Sequence, residues 1–150
     1  MRVRAGGSSV STLVGGCVFC SIASGSAPGR PVLEAPQAIA FLDINPATDG
    51  HTLVVPRHHA EDIFDLDEET AAAVWQLTVA VARRLDEVLS PDGLTLFQAN
   101  GAAGWQDVFH FHIHVVRRWR DDGLVRPWRH TPGDTGRLDE VAARLRVGRC

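Results

Sequence analysis

The chain has 150 residues, a mass of 16.3 kDa and a formal net charge of −3, with pI near 6.1. Its 45% hydrophobic and 22% charged residues suit one globular domain with a real core, and the acidic balance gives no global basic field for nucleic acid. No run approaches the roughly 18 consecutive apolar residues of a membrane span, and every basic residue is Arg, which excludes lysine Schiff-base and P-loop chemistry.

In MRVRAGGSSVSTLVGG only VSTLV is apolar. That is too short for a signal-peptide core, and the Gly/Ser content predicts a disordered leader over 1–16. CVFCSIASG then predicts a short helix ending near Gly25. Its Cys17 and Cys20, with Cys150, make three cysteines. An odd count without a secretory signal points to a reducing cytoplasm and not to a disulfide framework. VLEAPQAIAFLDI predicts a hairpin turning at Pro36 and Gln37, and AIAFLDI a strand apolar on both faces. NPATDG is turn chemistry, and HTLVVP a β-branched strand closed by Pro56. A long helix follows, capped by Asp65 or Asp67, with Glu68 and Glu69 at the positive end of its dipole. Ala71, Val74, Trp75, Thr78, Val81, Leu85 and Val88 recur at helical spacing as its apolar face. SPDG stops it near Ser90. LTLFQ predicts a strand, ANGAAGWQD a glycine-rich loop, and VFHFHIHVVRRW a strand. After an irregular stretch, RLDEVAARLR predicts a short helix with Leu138, Val141 and Leu145 inward. Short strands, tight turns and one long helix argue for an α+β fold on a mainly antiparallel sheet of about five strands.

VFHFHIHVV places His110, His112 and His114 at every second position. On a strand such residues share one face, while Phe111, Ile113 and Val115 share the other. An unperturbed imidazole titrates at about pH 6.5, so the row can hold a neutral nucleophile beside donors. Imidazole also forms covalent intermediates with phosphoryl groups, splitting one hard displacement into two. The bland alternative is a stack of mutually satisfied rings, which strict alternation beside a glycine-rich loop disfavours. GWQDVFHFH begins like the cupin pattern, but Val116 and Arg117 stand where its metal-binding carboxylate belongs. Cupin chemistry is disfavoured.

HFHIHVV matches the His-x-His-x-His-x-x signature, with x apolar, of the histidine-triad (HIT) superfamily. AFLDINPATDGHTLVVPRHH, CVFC and NGAAGWQ resemble further parts of that family in the expected order, from Cys17 to Val116. The third triad position is His, not Gln, which resembles the hydrolase branches. The resemblance implies a HIT-like domain over 17–120, with 121–150 as an extension packed on it. It also implies a homodimer and a purine nucleotide substrate, an AMP or GMP derivative. His112 would be the nucleophile on the α-phosphorus, forming a nucleotidyl-histidine that water hydrolyses. His114 would hold the phosphate, and His51 would help set the protonation of the triad. Ile22, Phe41 and Ile44 would pack the base, and Asp43 would accept the ribose hydroxyls, since an ionised carboxylate only accepts. Asn100 and Gln106 would contact phosphates beside Gly101 and Gly104. The simpler alternatives make His51 a surface strand end, Phe41 and Ile44 core, and Asp43 a turn residue. Phosphoramidase activity is the first choice and dinucleoside polyphosphate hydrolysis the second. A non-enzymatic nucleotide-binding or zinc-stabilised adaptor is the alternative of another class.

Two departures stand out. Relatives commonly carry Ser or Thr at Asp107; a carboxylate there would repel a polyphosphate, meet an amine leaving group, or donate a proton if its pKa were raised. It could equally turn outward and cap a loop. Arg117 stands where many relatives have Pro. For Cys17 and Cys20, the resemblance to bacterial members implies a closed structural zinc site completed by His59 and His110, with four protein ligands and no open position. The alternatives are buried free thiols or a redox pair, the latter lacking a parallel βαβ context. No organic cofactor is implied. His58 is a neighbour that could confuse the ligand set, and His130 reads as a surface residue.

Overall fold

The computed structural model describes residues 16–148; all of the leader over 1–16 but Gly16, and Cys150, lie outside the described residues. The elements run α1 (Val18–Ala23), β1 (Pro31–Glu34), β2 (Ala38–Leu42), β3 (Thr52–Pro56), α2 (Glu68–Leu89), β4 (Gly93–Phe97), β5 (Ile113–Arg118) and α3 (Thr135–Val147), with single 3-10 turns at Ile63–Asp65 and Ala102–Gly104. The strands form one five-stranded sheet in the order β1-β2-β3-β5-β4, every pairing antiparallel. The fold is the α+β arrangement that the short strands and turns predict. No described helix is long and apolar enough to cross a membrane.

The sheet is buried on both faces at its centre, which explains the unbroken apolar runs of β2 and β3. On one face α2 packs through Val74, Leu77, Thr78, Val81 and Leu85 against Ala38, Ala40, Val54, Ile113 and Val115. At about 1.5–3 kcal/mol per buried aliphatic side chain, its four apolar anchors contribute about 6–12 kcal/mol before conformational entropy opposes them. Trp75 and Val88, expected on this face, are exposed, and Leu77 takes the inward position. Asp67 is the cap: its side chain accepts from the Thr70 N–H, and Ser90 closes the helix in the left-handed region. On the other face Phe19 and Ala23 of α1 cover Ile39, Phe41, Leu53 and Val55. Arg57 ties the two layers, donating to the carbonyls of Ala23 and Ala35 and to Glu34.

The C-terminal helix forms, but Leu138, Val141 and Leu145 do not turn inward: α3 has no buried residue. Four large apolar side chains among nine polar or small residues bury too little area to dock it by themselves.

Candidate active site

β5 lies between β3 and β4, and His114 is paired with Leu53 on one side and Phe97 on the other. The ladder starts at Ile113, not at Val108 as the sequence suggested. Upstream, the Phe111 N–H bonds the Ala60 carbonyl at 2.7 Å instead of a neighbouring strand. The alternation survives this. Phe111, Ile113 and Val115 enter the core under α2, while the His112 and His114 rings sit 4.8 Å apart on the α1 side, where Phe19 meets His112 edge-on at 5.1 Å.

Backbone partners assign the ring protons. The Ala47 N–H donates to His51 Nδ1 at 3.0 Å, so neutral His51 carries its proton on Nε2 and donates it to His114 Nδ1 at 2.9 Å. His114 is thereby left with an N–H on Nε2. His112 Nδ1 donates to the His110 carbonyl at 2.7 Å, so in the neutral ring Nε2 holds a lone pair. His110 Nε2 donates to the Pro56 carbonyl at 2.8 Å, so its Nδ1 holds the lone pair. One residue type thus presents three different edges.

Burial favours the neutral forms. It pushes His114 down to about 4, helped by the neighbouring charges of His112 and His51. It lowers His51 as well, against the opposing pull of Asp43. Asp43 Oδ1 accepts the Asn45 N–H at 2.8 Å. Its Oδ2 stands 3.6 Å from His51 Nε2 and 4.0 Å from His114 Nδ1, beyond a proper hydrogen bond and free to accept from a ligand.

A cleft of about 260 Å³ opens over these rings, lined by Ile22, Phe41, Asp43, Ile44, His112 and His114 among others. Phe41 is both core and wall, being 2% exposed, whereas Ile44 is 80% exposed at the lip. His51 is buried, not a surface strand end. Gly29 lies so close to Ile22 that an added Cβ would stand 2.7 Å from its Cγ2, which fixes this wall. Asp107 also lines the cleft: it both caps its own turn, accepting the Val108 N–H at 2.9 Å, and sets Oδ1 3.7 Å from His112 Nε2.

Two expected phosphate contacts are placed elsewhere. Gln106 is buried, its Oε1 accepting from the Gly101 N–H at 2.7 Å and its Nε2 donating to the carbonyls of Glu61 and Val108. Both amide protons are consumed in shaping the loop, so it has none to offer a phosphate. Asn100 accepts from the Ile63 N–H at 2.8 Å and pairs with Gln98, and it is not among the residues of the cleft wall. The sequence reading missed Phe19, Val18, Leu53 and Arg30, which do line the cleft. Phe19 was visible only as the apolar residue between two cysteines. Arg117, the second departure, is ordinary strand: it pairs with Leu94 and stacks over Trp119 at 4.1 Å.

Cys17, Cys20, His59 and His110 converge, each offering one ligand atom, with those atoms all within 4.8 Å of one another. The group can hold a metal ion. His110 Nδ1 lies 3.4 Å from each of the two sulfurs, and His59 Nδ1 3.4 Å from Cys20 Sγ. Tetrahedral zinc bonds of about 2.3 Å to sulfur and 2.0 Å to nitrogen would set such pairs about 3.5 Å apart, so the donors fit. Burial and the neighbouring Cys17 push the Cys20 thiol up to about 11, so a metal would have to displace its proton. His58 is not in the group.

Residues 24–121 match the family model of the HIT domain. The chain belongs to the HIT domain family. It is 30% identical over 139 residues, 92% of this chain and 85% of the other, to an adenosine 5′-monophosphoramidase of Saccharomyces cerevisiae. A HIT family protein from Bacillus anthracis superposes with a TM-score of 0.82 at 32% identity, covering 88% of this chain and 96% of that one. A zinc-bound histidine triad family protein from Mycobacterium smegmatis does so with a TM-score of 0.70 at 40% identity, covering 87% and 96%. The HIT match begins just after α1 and ends past β5, so α1 and α3 lie outside it.

Proposed function

We propose that this HIT protein is a nucleotide hydrolase that breaks the bond between the α-phosphate of a nucleoside 5′-phosphate and a second group, an amine by preference, through a nucleotidyl intermediate on His112. The observation that carries it is the 2.7 Å hydrogen bond from His112 Nδ1 to the His110 carbonyl, which turns the Nε2 lone pair to the cleft. That pair attacks phosphorus. The N–P bond forms as the P–N or P–O bond breaks, and the leaving atom departs with the bonding pair and gains a proton from solvent at the open mouth. The His110 carbonyl holds the Nδ1 proton while the ring carries positive charge. His114 Nε2–H donates to a non-bridging oxygen, its orientation set by the relay from Ala47 through His51. Water then attacks phosphorus and releases a proton to solvent, the N–P bonding pair returns to Nε2, and the nucleoside monophosphate leaves. Phe41, Ile22 and Ile44 take the base, and Asp43 Oδ2 the ribose hydroxyls. Asn100 and Gln106 act by shaping the loop. The likeness to a monophosphoramidase supports the amine preference.

Cys17, Cys20, His59 and His110 would hold a zinc ion with no open position, a structural role that fastens α1 to the end of β3. A second copy of the chain would cover the exposed Trp75 and Val79 of α2 and Leu96 of the edge strand β4.

Mass spectrometry of protein quenched during turnover of an adenosine 5′-phosphoramidate should find an adenylyl group on His112. His112→Ala should lose the adduct and about a thousandfold or more of the rate. Turnover surviving in that variant would discard the mechanism.

A further inference from the structure

The cleft does not end at the nucleophile. Val18, Asp107 and Val108 line both the cleft and a neighbouring shallow groove of about 460 Å³, whose wall also includes His59, Glu61 and Phe109. Asp107 stands at the junction, with Oδ1 3.7 Å from His112 Nε2 and the side chain 81% exposed. Oδ1 is engaged by the Val108 N–H; among the described residues Oδ2 has no hydrogen-bond partner. Val18 and Phe109 present half-exposed apolar surface beside it. Among the described residues, Arg30 is the one arginine that lines either hollow, and it is on the cleft wall and absent from the groove.

Among the described residues, the groove therefore carries two carboxylates, Asp107 and Glu61, and no arginine. Cys17 and His59, which also line it, do not alter this. As zinc ligands they would add no net charge, since two thiolates around a divalent zinc sum to zero.

From this placement we infer that the groove is the leaving-group subsite, and that Asp107 and Glu61 select substrates whose second group carries positive charge beyond the scissile atom and reject polyphosphate. The inference rests on the attack by His112 proposed above. In that attack the leaving group lies opposite Nε2 across phosphorus, and the groove that joins the cleft at Val18, Asp107 and Val108 gives it room, with Asp107 the charged residue of the three. A flexible chain of a few methylenes would lie on Val18 and Phe109 and set an ammonium group between the carboxylates. A dinucleoside polyphosphate would bring several negative charges to the same place. Because both carboxylates are near solvent, the discrimination is moderate and weakens with salt.

The test uses three adenosine 5′-phosphoramidates whose amines are aminoalkyl, alkyl and carboxyalkyl chains of equal length. At low salt kcat/KM should fall in that order, by about tenfold from cation to anion. In Asp107→Asn with Glu61→Gln the ratio should collapse toward one, and in wild type it should shrink as salt is raised. Dissociation constants of the same compounds on the inert His112→Ala protein should show the same order. That binding series reads the groove even where no compound turns over, so failure of the hydrolase reading and failure of the subsite are separate results. A ratio near one in wild type would overturn the inference. So would a ratio that the double carboxamide variant leaves intact, or an equal loss for all three amines, which would make Asp107 a positioning residue.

Discussion

Three histidines two positions apart present different edges because each makes its ring hydrogen bond with a different partner. His110 gives Nε2–H to the Pro56 carbonyl, His112 gives Nδ1–H to the His110 carbonyl, and His114 receives one from His51. Two of these partners are main-chain oxygens, which no motif records; the third, His51, is the one the resemblance implied. The arrangement has a cost at low pH. His110 and His114 are each pushed from 6.5 down to about 4, chiefly by burial. Below pH 6.5 the unfolded chain binds protons that the folded chain refuses, so the unfolded state gains. The contribution of these neutral histidines is therefore intact above about pH 6.5 and is lost as the pH falls toward 4. Calorimetry of metal-free protein should show the melting temperature flat from pH 8 to about 6.5 and falling below it. His114→Asn should flatten part of that fall. A melting temperature constant down to about pH 4.5 would contradict the buried neutral rings.

At the scale of elements, the turn over 43–51 does most to place the site, and Gly50 is its tightest point. Its φ is 85°, and an added Cβ would stand 2.7 Å from Leu89 Cδ1 and 3.2 Å from Leu85 Cδ2. Gly50→Ala meets both obstacles, strain in the left-handed region and a collision with the last turn of α2. It should cost about 1–3 kcal/mol in denaturant unfolding. It should also lower kcat more than it raises KM, because it shifts His51 and with it the proton of His114. A variant as stable as wild type would show that the turn yields freely. This turn was legible from NPATDG, as were the hairpin, the long helix, its stop at Ser90 and the histidine pattern, because turn residues and apolar periods are local signals. The face of α2 was less legible. Adjacent helical phases differ by about 100° per residue, and only the sheet beneath chooses Leu77 over Trp75 and Val88. The late start of β5 depends on one long-range bond from Phe111 to Ala60, and the burial of Gln106 in part on another, to the Glu61 carbonyl, which no spacing records. The fate of α3 was misjudged for the opposite reason. Its local helical pattern is real, yet nothing in the described chain offers its apolar side chains a surface.

For the molecule as a whole, the question is what fastens α1 to the sheet. The helix has only six residues, far too few to be stable alone. Its apolar anchors are Phe19 and Ala23, with Arg57 capping the Ala23 carbonyl. Cys17 and Cys20 bring it to His59, beyond β3, and to His110, two residues before His112. Four ligands from three separate segments would turn this contact into a clip, since a metal that binds only the folded chain adds its binding free energy to stability. Free zinc at a thousand times its dissociation constant adds about 4 kcal/mol, or about 10 °C in melting temperature for a domain of this size. Protein purified without chelator should carry one zinc per chain by elemental analysis, and a strong chelator should lower its melting temperature by roughly that amount. Hydrogen exchange should rise first in α1 and then in the segment around His110. Cys20→Ser should remove both the metal and the response to chelator. Affinity should weaken as the pH falls, because the Cys20 thiol near 11 must be deprotonated to bind. Metal-free protein with the same melting temperature and the same exchange in α1 would show that Phe19, Ala23 and Arg57 suffice, and would reduce the four ligands to a packing cluster.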